Sequence, residues 1–365
     1  MALETLSIHN LRNIKQMDIQ LSPGVNVLFG DNGSGKTSIL EAAYLLSTGR
    51  SFRTNLQRSV IRDGEAKTTV FGSCNFSQGL HNNTLGVSLG NSGSEFRVNG
   101  CGVNNRAELA KALPLLVVTP SSHELLDGGP HHRRRFLDWG VFHVEHSYGK
   151  TWSMFKKAIR HRNALLIKGL RNKQDADLLA SLDVELGRLG TGVTELRESY
   201  FSSLVPFINT LCSSLFEDMD LNVQLRSGVS QELSFVEYLK SGLEQDLKRG
   251  RTMQGPHVAD IRIKVGKHDA KEVLSRGQQK LLVYALLVSQ IIHFRSVSGK
   301  ESILALDDVS SELDEKSFDQ LLDVLLAQKT QLLITSVKKE DLRLDRFLDS
   351  SMFHVKHGTI SSIKN

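Results

Sequence analysis

The residues able to do chemistry cluster in three short segments, one near the start of a 365-residue chain and two near its end. The first is Gly30-Asp31-Asn32-Gly33-Ser34-Gly35-Lys36-Thr37, which fits the phosphate-binding pattern G-x-x-x-x-G-K-[ST]. Glycines at these points let backbone N–H groups curl around a phosphate chain without a Cβ in the way. Lys36 is then placed to reach the β- and γ-phosphates, and the Thr37 hydroxyl to ligate Mg²⁺, so the expected cofactors are ATP and Mg²⁺. The second segment, Leu304-Ala305-Leu306-Asp307-Asp308, is an apolar run ending in two carboxylates. Asp307 is expected to hold the metal through water and Asp308 to orient or deprotonate the attacking water. The third, Leu274-Ser275-Arg276-Gly277-Gln278-Gln279-Lys280, precedes a helical stretch. Its Ser275 hydroxyl and nearby N–H groups at a helix start suit a γ-phosphate. Lys36, Asp307, Asp308 and Ser275 are thus the candidate catalytic residues, and only folding can unite them.

The flanking elements support the phosphate site. Val25–Phe29 reads as a strand running directly into the glycine-rich loop, and residues 38–46 read as a helix, which is the strand–loop–helix context the motif needs. Two strands, Leu3–Leu11 and Met17–Leu21, come before it. Short apolar alternations at Thr69–Phe71, Leu85–Leu89 and Phe96–Val98 predict an antiparallel meander, with a tight turn at Asn99-Gly100. From about Pro130 the pattern is helical. Trp152, Phe155, Ile159, Leu166 and Leu170 fall within roughly 60° of one face at about 100° per residue. Leu182, Leu186, Leu189, Val193, Leu196, Tyr200, Leu204, Phe207 and Leu211 then alternate steps of four and three, a coiled-coil-like seam. An antiparallel helical hairpin results, with a kink allowed at Pro206. Gly187, Gly190 and Gly192 weaken the second helix, which predicts a short arm rather than a rod. Strands return near Ile261. The expected boundaries are 1–125 for the N-terminal part of the ATPase lobe, 126–258 for a helical lobe, and 259–365 for the rest of the ATPase.

The totals are those of an ordinary globular chain, with 40% hydrophobic and 23% charged residues and a net charge of +5. Polyanion binding would therefore need local clustering. Cys74, Cys101 and Cys212 are too scattered for a disulfide framework or a zinc site. The first residues lack a signal-peptide core, and the longest apolar run, Leu281 to Ile292, is too short for a bilayer span. A cytoplasmic protein is expected.

Ser275-Arg276-Gly277-Gln278 resembles the LSGGQ signature of ABC-type ATPases, with Arg276 replacing a glycine. In that family the segment completes the site of a partner subunit, so the resemblance implies Ser275, Gly277 and Gln278 as nucleotide contacts across an ATP-dependent homodimer. Ser310-Ser311-Glu312-Leu313-Asp314 is similar to the family's dimer-contact D-loop. Asn10-Leu11-Arg12-Asn13, the run from Gly129 through Arg133-Arg134-Arg135 to Asp138, Gly255-Pro256-His257 and the LSRGQ form of the signature together resemble the RecF family, SMC-like ATPases without the long coiled coil. The fold class implied is α/β: an ABC-type P-loop ATPase head, mixed sheet plus antiparallel β lobe, with an inserted helical arm lobe. The resemblance implies a weak ATPase that binds double-stranded and gapped DNA. It further implies work with RecR, and indirectly RecO and RecA, in recombinational repair, replication restart and the SOS response. By analogy Arg12 contacts nucleotide; a surface strand arginine is the alternative. The chain departs from the expected pattern at Val258, where a basic residue would follow Gly-Pro-His, and at Ser336, where many ABC ATPases have histidine. No Q-loop glutamine is evident near Thr119–Ser122, and slow hydrolysis is expected.

Between His131 and Lys173 about eleven Arg and Lys face two acids. Lys157, Arg160, Lys168 and Arg171 lie away from the apolar stripe, as a row for DNA phosphates or as a solvated face. Arg133, Arg134 and Arg135 either join that surface or pack internally between the lobes. Without interleaved aromatics, binding would be sequence-independent. An ABC-type transporter ATPase and a structural SMC-like DNA-bridging protein are the alternatives. The first would need a coupling surface for a membrane subunit, and the second a hinge and a far longer coiled coil.

Overall fold

Ala2–Leu11 (β1) turns at Arg12-Asn13 into Ile14–Gln20 (β2); β1 buries Leu3, Leu6, Ile8 and Leu11, with a register shift between Leu3 and Thr5, and β2 buries Ile14, Met17 and Ile19. With Lys67–Asn75 (β4), Asn83–Gly90 (β5), Gly93–Val98 (β6) and Cys101–Gly102 (β7) they form an antiparallel sheet in the order β2-β1-β4-β5-β6-β7. The Asn99-Gly100 turn has both residues at positive φ, as a two-residue hairpin requires.

A second sheet carries the chemistry. Val25–Phe29 (β3), Leu115–Val118 (β8), Ile303–Leu306 (β12), Gln331–Ser336 (β13) and Ser351–Lys356 (β14) run parallel, and Thr359–Ile363 (β15) returns antiparallel, in the order β15-β14-β3-β13-β12-β8. Such strands are covered on both faces, which is why β12 and β13 are buried at every position. The helix Lys36–Thr48 (α1) lies between the two sheets. Its Ile39, Leu40, Ala42, Ala43, Leu45 and Leu46 join the same apolar core as Leu3, Leu6 and Ile8 of β1 and Ile303 and Leu333 of the parallel sheet. The helix is enclosed nearly all round, with Thr37, Tyr44 and Thr48 alone partly exposed. Arg106–Ala112 (α2) completes the cover.

The structure, a computed structural model, describes residues 2–75, 83–91, 93–229, 233–328, 330–338 and 350–363. Met1–Ser122 with Arg276–Asn365 makes one compact unit and His123–Ser275 the other. The second boundary falls at 275/276, not at the expected 258/259. Asp260–Val265 (β10) pairs along its whole length with Leu221–Arg226 (β9), and with His268–Asp269 (β11) on its other side. Residues 259–275 therefore belong to the inserted unit.

That unit is mainly helical: Glu124–Asp127 (α3), Pro130–Val144 (α4), Tyr148–Lys168 (α5), Lys173–Leu215 (α6), Phe235–Ser241 (α7), Leu243–Arg249 (α8) and Ala270–Val273 (α9). α5 and α6 form the hairpin, turned through Gly169 at φ 76° and capped where the Asn172 side chain accepts the Asp175 N–H at 2.8 Å. α6 is a 43-residue helix, about 65 Å at 1.5 Å per residue, and it continues through Pro206. Its glycines do not weaken it as expected. A Cβ at Gly190 would come within 2.6 Å of the Phe235 ring, and one at Gly187 within 2.0 Å of Val236. They are small because α7 packs against them.

In the first unit Arg276–Ser298 (α10) is followed after β12 by Val309–Glu312 (α11) and Glu315–Ala327 (α12). α10 is longer and more apolar than its sequence suggested, enough to cross a membrane by length and composition, but 72% of its most apolar window is buried inside the protein. It is a core helix.

Candidate nucleotide site

The glycine-rich loop leaves the carboxyl end of β3, the usual ligand position in a parallel sheet. Gly30, Gly33 and Gly35 have φ of 149°, 78° and 119°, a run of conformations that side chains resist. At Gly30 a Cβ would meet the Val355 carbonyl oxygen of β14 at 2.2 Å. The loop is also clasped from both ends of the chain. Asn13 Nδ2 donates to the Gly33 carbonyl at 3.1 Å, and the Gly358 N–H donates to the Ser34 carbonyl at 2.8 Å.

Lys36 Nζ donates to the carbonyls of Gly30, at 2.6 Å, and Asp31, at 3.0 Å. Burial lowers its pKa, against the pull of Asp308, Asp307 and Asp31. Its neighbour Thr37 donates to Asp307 at 2.9 Å across 270 residues of sequence. Register explains the meeting: Leu306 of β12 lies opposite Ile334 of β13, and Thr335 lies opposite Leu28 of β3, so all three strand ends stop at one level. Thr335 occupies the middle strand. Its hydroxyl donates to Asp307 Oδ1 at 2.8 Å and accepts the Asp308 N–H at 2.8 Å. Burial raises the Asp307 pKa, opposed by the hydrogen bonds from Thr335 and Thr37. Asp308 sits in the left-handed region at φ 54°.

Two buried oxygens here, Ser34 Oγ and Asp308 Oδ1, have no hydrogen-bond partner. Orphaned polar atoms are costly in a protein interior and need an explanation. Both belong to the segments expected to meet phosphate and the attacking water. The donor set fits a nucleotide: loop amides and Lys36 for anionic oxygens, and Thr37 with Asp307 as oxygen ligands for a hard cation.

Arg12 is engaged by side chains of the head itself. Its Nε and Nη2 grip the buried carboxylate of Glu41 on α1, both at 2.9 Å, and Nη1 reaches the Ser59 carbonyl. Ser51 also donates to Glu41. Arg12 thus ties the β1–β2 turn to the phosphate-loop helix, and a nucleotide contact would require one of these bonds to be given up. Ser275 and Gln278 are exposed at the start of α10, with Gly277 half-buried between them. Lys280, one turn on, pairs with Glu312 at 2.6 Å, and a Cβ on Gly277 would lie 4.0 Å from Asp314. The signature helix and the 310–314 segment are therefore neighbours. Tyr284 of α10 has its pKa raised by burial and by Glu312, Asp307 and Asp308, which puts this helix beside the acids as well.

Among the residues assigned to DNA, two are engaged inside the helical unit. Arg133 holds Asp260 through Nε at 2.7 Å and Nη2 at 3.2 Å, and Arg134 donates to the Ala259 carbonyl at 2.9 Å. Arg135, Lys157, Arg160, Lys168 and Arg171 are exposed, with Lys168 bonded to Asp175 at 3.0 Å. Sequence reasoning overlooked Arg162 and Arg197. Arg162 is fully buried between Asp183 and Asp246, each at 2.6 Å. Arg197 bonds Asp138 at 2.6 Å and stacks over Trp152 at 4.6 Å. Burial raises the Asp183 pKa against the effect of Arg162.

A head of two sheets around a phosphate-loop helix, with acids delivered from a distant strand, defines an ABC-type ATPase of the SMC-like class. The RecF/RecN/SMC N terminal domain family matches residues 2–360. The chain is 39% identical over 364 residues to the DNA replication and repair protein RecF of Pseudomonas syringae pathovar tomato, covering 99% of this chain and 98% of that protein. Against RecF of Vibrio parahaemolyticus it is 37% identical, over 99% and 100%. It is similar to a solved structure of the recombination mediator protein RecF with ATP in the RecFOR pathway, with a TM-score of 0.87, 25% identity and coverage of 100% and 98%. A Pyrococcus furiosus Smc head shares the fold at a TM-score of 0.58 and 16% identity, over 99% and 96%. The chain belongs to the RecF family of DNA replication and repair proteins.

Proposed function

We propose that this chain is an ATP-controlled DNA clamp acting in recombinational repair. The loop amides of residues 30–37 and Lys36 hold the phosphates, and Thr37 with Asp307 hold Mg²⁺, which supplies charge neutralisation when bound. Asp308 orients the attacking water. Ser275, Gly277 and Gln278, exposed at the start of α10, complete the nucleotide site of a second copy, so ATP binding drives dimer closure and slow hydrolysis releases it. The observation that carries this reading is the meeting of Thr37, at the start of α1, with Asp307, at the end of β12, while Thr335 on the intervening strand β13 bridges the acids.

The closed dimer grips duplex DNA beside a gap through exposed cations of the helical unit, namely Arg135, Lys157, Arg160, Lys168 and Arg171. RecR, RecO and RecA are the partners the family and the RecFOR-pathway relative suggest, and the cytoplasm is the expected location. Sedimentation of wild type, Lys36→Arg and Ser275→Arg with and without ATP tests the proposal. Wild type should dimerise with ATP, and Ser275→Arg should bind ATP yet stay monomeric. A Ser275→Arg protein that dimerises like wild type would sink the composite-site reading.

A further inference from the structure

A second basic surface lies on the three-stranded sheet of the helical unit. Along β10 the side chains alternate: Ile261 and Ile263 are buried, while Arg262 is exposed and Lys264 half-exposed. β9 does the same, with Val223 buried and Asn222, Gln224 and Arg226 exposed. The antiparallel register sets Arg262 opposite Gln224, Lys264 opposite Asn222, and Asp260 opposite Arg226. One face is therefore apolar and the other polar, and the polar side borders a cleft of about 350 Å³ that contains Arg133, Arg226, Asp260, Arg262 and Lys264.

The charges here sum positive: Asp269 of β11 lies opposite Lys264 and borders the same cleft, but Arg226, Arg262, Lys264 and Lys271 outnumber it. Asp260 is already held by both Nε and Nη2 of Arg133. Among the described residues no ion pair engages Arg226, Arg262 or Lys264. Same-face neighbours along a strand are about 7 Å apart and diagonal neighbours about 7–8 Å, close enough for like charges to repel. Cations often guard a sheet edge against pairing. Arg262 and Lys264 are not on an edge, because β10 lies between β9 and β11. A solvated row that stays net positive even with Asp269 opposite Lys264 suits an anion with several charges.

We propose that this face is a contact surface for the backbone phosphates of duplex DNA, additional to the arm row; it rests on the DNA-clamp reading above. Each strand of a duplex carries a phosphate about every 3.4 Å of axis, so cations about 7 Å apart keep step with alternate phosphates. Asn222 and Gln224 add neutral side-chain amides of the kind that bond phosphate and sugar oxygens. No aromatic side chain borders the cleft, so the contact is independent of sequence.

The test is the salt dependence of binding to a fluorescein-labelled duplex of random sequence, in the presence of ATP. Full-length wild type is compared with Arg226→Gln/Arg262→Gln/Lys264→Gln, and with Arg160→Gln/Lys168→Gln on the arm. Removing three phosphate contacts should flatten the plot of log K against log [salt] by about 2.7, and weaken binding by about 500-fold at 0.1 M salt. ATP binding and the thermal midpoint should be unchanged, since the three side chains are solvated. A sheet variant with wild-type affinity and slope overturns the proposal while leaving the clamp reading intact. So does a variant that keeps DNA but loses affinity for polyglutamate, which would make this an acidic-protein surface. Wild type that fails to bind the duplex at any salt concentration overturns the clamp reading and this surface with it.

Discussion

Thr335→Val isolates the hydroxyl that couples the two acids. Valine preserves the branched shape on β13, and Thr335 is fully buried, so solvent has no ready access to replace the lost bonds. Two hydrogen bonds disappear: one donated to the Asp307 carboxylate and one accepted from the Asp308 N–H. A bond to a charged group contributes about 1.5–3 kcal/mol, and stranding a buried donor costs about 1–3 kcal/mol. With partial relaxation the expected loss is about 2–4 kcal/mol. Thr335→Ser keeps the hydroxyl and removes one methyl, at about 1 kcal/mol. Urea unfolding should be followed through the transition that nucleotide shifts, because a chain of two units need not unfold in one step. One of the two hydrogen bonds holding the Asp307 pKa down is also lost, so the acid limb of the ATPase profile should move to higher pH in the valine variant. Valine within 0.5 kcal/mol of wild type, or serine as the worse variant, would refute the bridging role.

Three further variants test the acid and the long helix. Burial raises the Asp307 pKa above its ordinary 3.8, so the folded state holds the proton more tightly and stability falls as pH climbs from the unfolded value through the folded one. Asp307→Asn should therefore stabilise the nucleotide-free protein at neutral pH by about 0.5–2 kcal/mol while abolishing hydrolysis, and the gain should vanish below pH 3.8 in thermal scans. On α6, Gly190→Ala should destabilise by about 1–3 kcal/mol because its Cβ meets the buried Phe235 ring. Gly192→Ala, whose nearest neighbour is 3.8 Å away, should instead gain up to about 1 kcal/mol from helix propensity, and paired urea titrations would separate the two sites.

The strand–loop–helix around Lys36 and the acidic end of β12 were legible because each is a local pattern with a local cause. The meander was legible for the same reason, since alternation and an Asn-Gly turn need no distant information. Thr335 was not, because a threonine ending an apolar strand looks like any other until register sets it between Asp307 and β3. The buried arginines were available but overlooked. Arg162 falls in step with Phe155, Ile159 and Leu166, and Arg197 with Val193, Tyr200 and Leu204, so both lie on the apolar stripes of their helices. An arginine in phase with a core seam should be read as buried and paired. Arg133 and Arg134 were ambiguous for a different reason: Asp260 and the Ala259 carbonyl, which engage them, lie about 125 residues downstream. The glycines of α6 misled because propensity speaks only of the isolated helix, whereas Phe235 and Val236 decide their size.

The clasp on the phosphate loop bears on how the protein is made. β3 leaves the ribosome long before both of its neighbours, β13 and β14, which begin at Gln331 and Ser351, and the Gly358 amide that holds Ser34 follows them. At about 5–20 residues per second, the intervening chain of some 300 residues takes roughly 15–60 s to synthesise. Until those residues are made, the loop lacks Asp307 in front of it and Val355 behind it. A nascent chain is thus unable to assemble its nucleotide site, and no partly made head can close on a finished one. Competence arrives when the β14–β15 hairpin docks, and a truncation that removes only β14 and β15 should leave a chain with an intact motif and no ATP site.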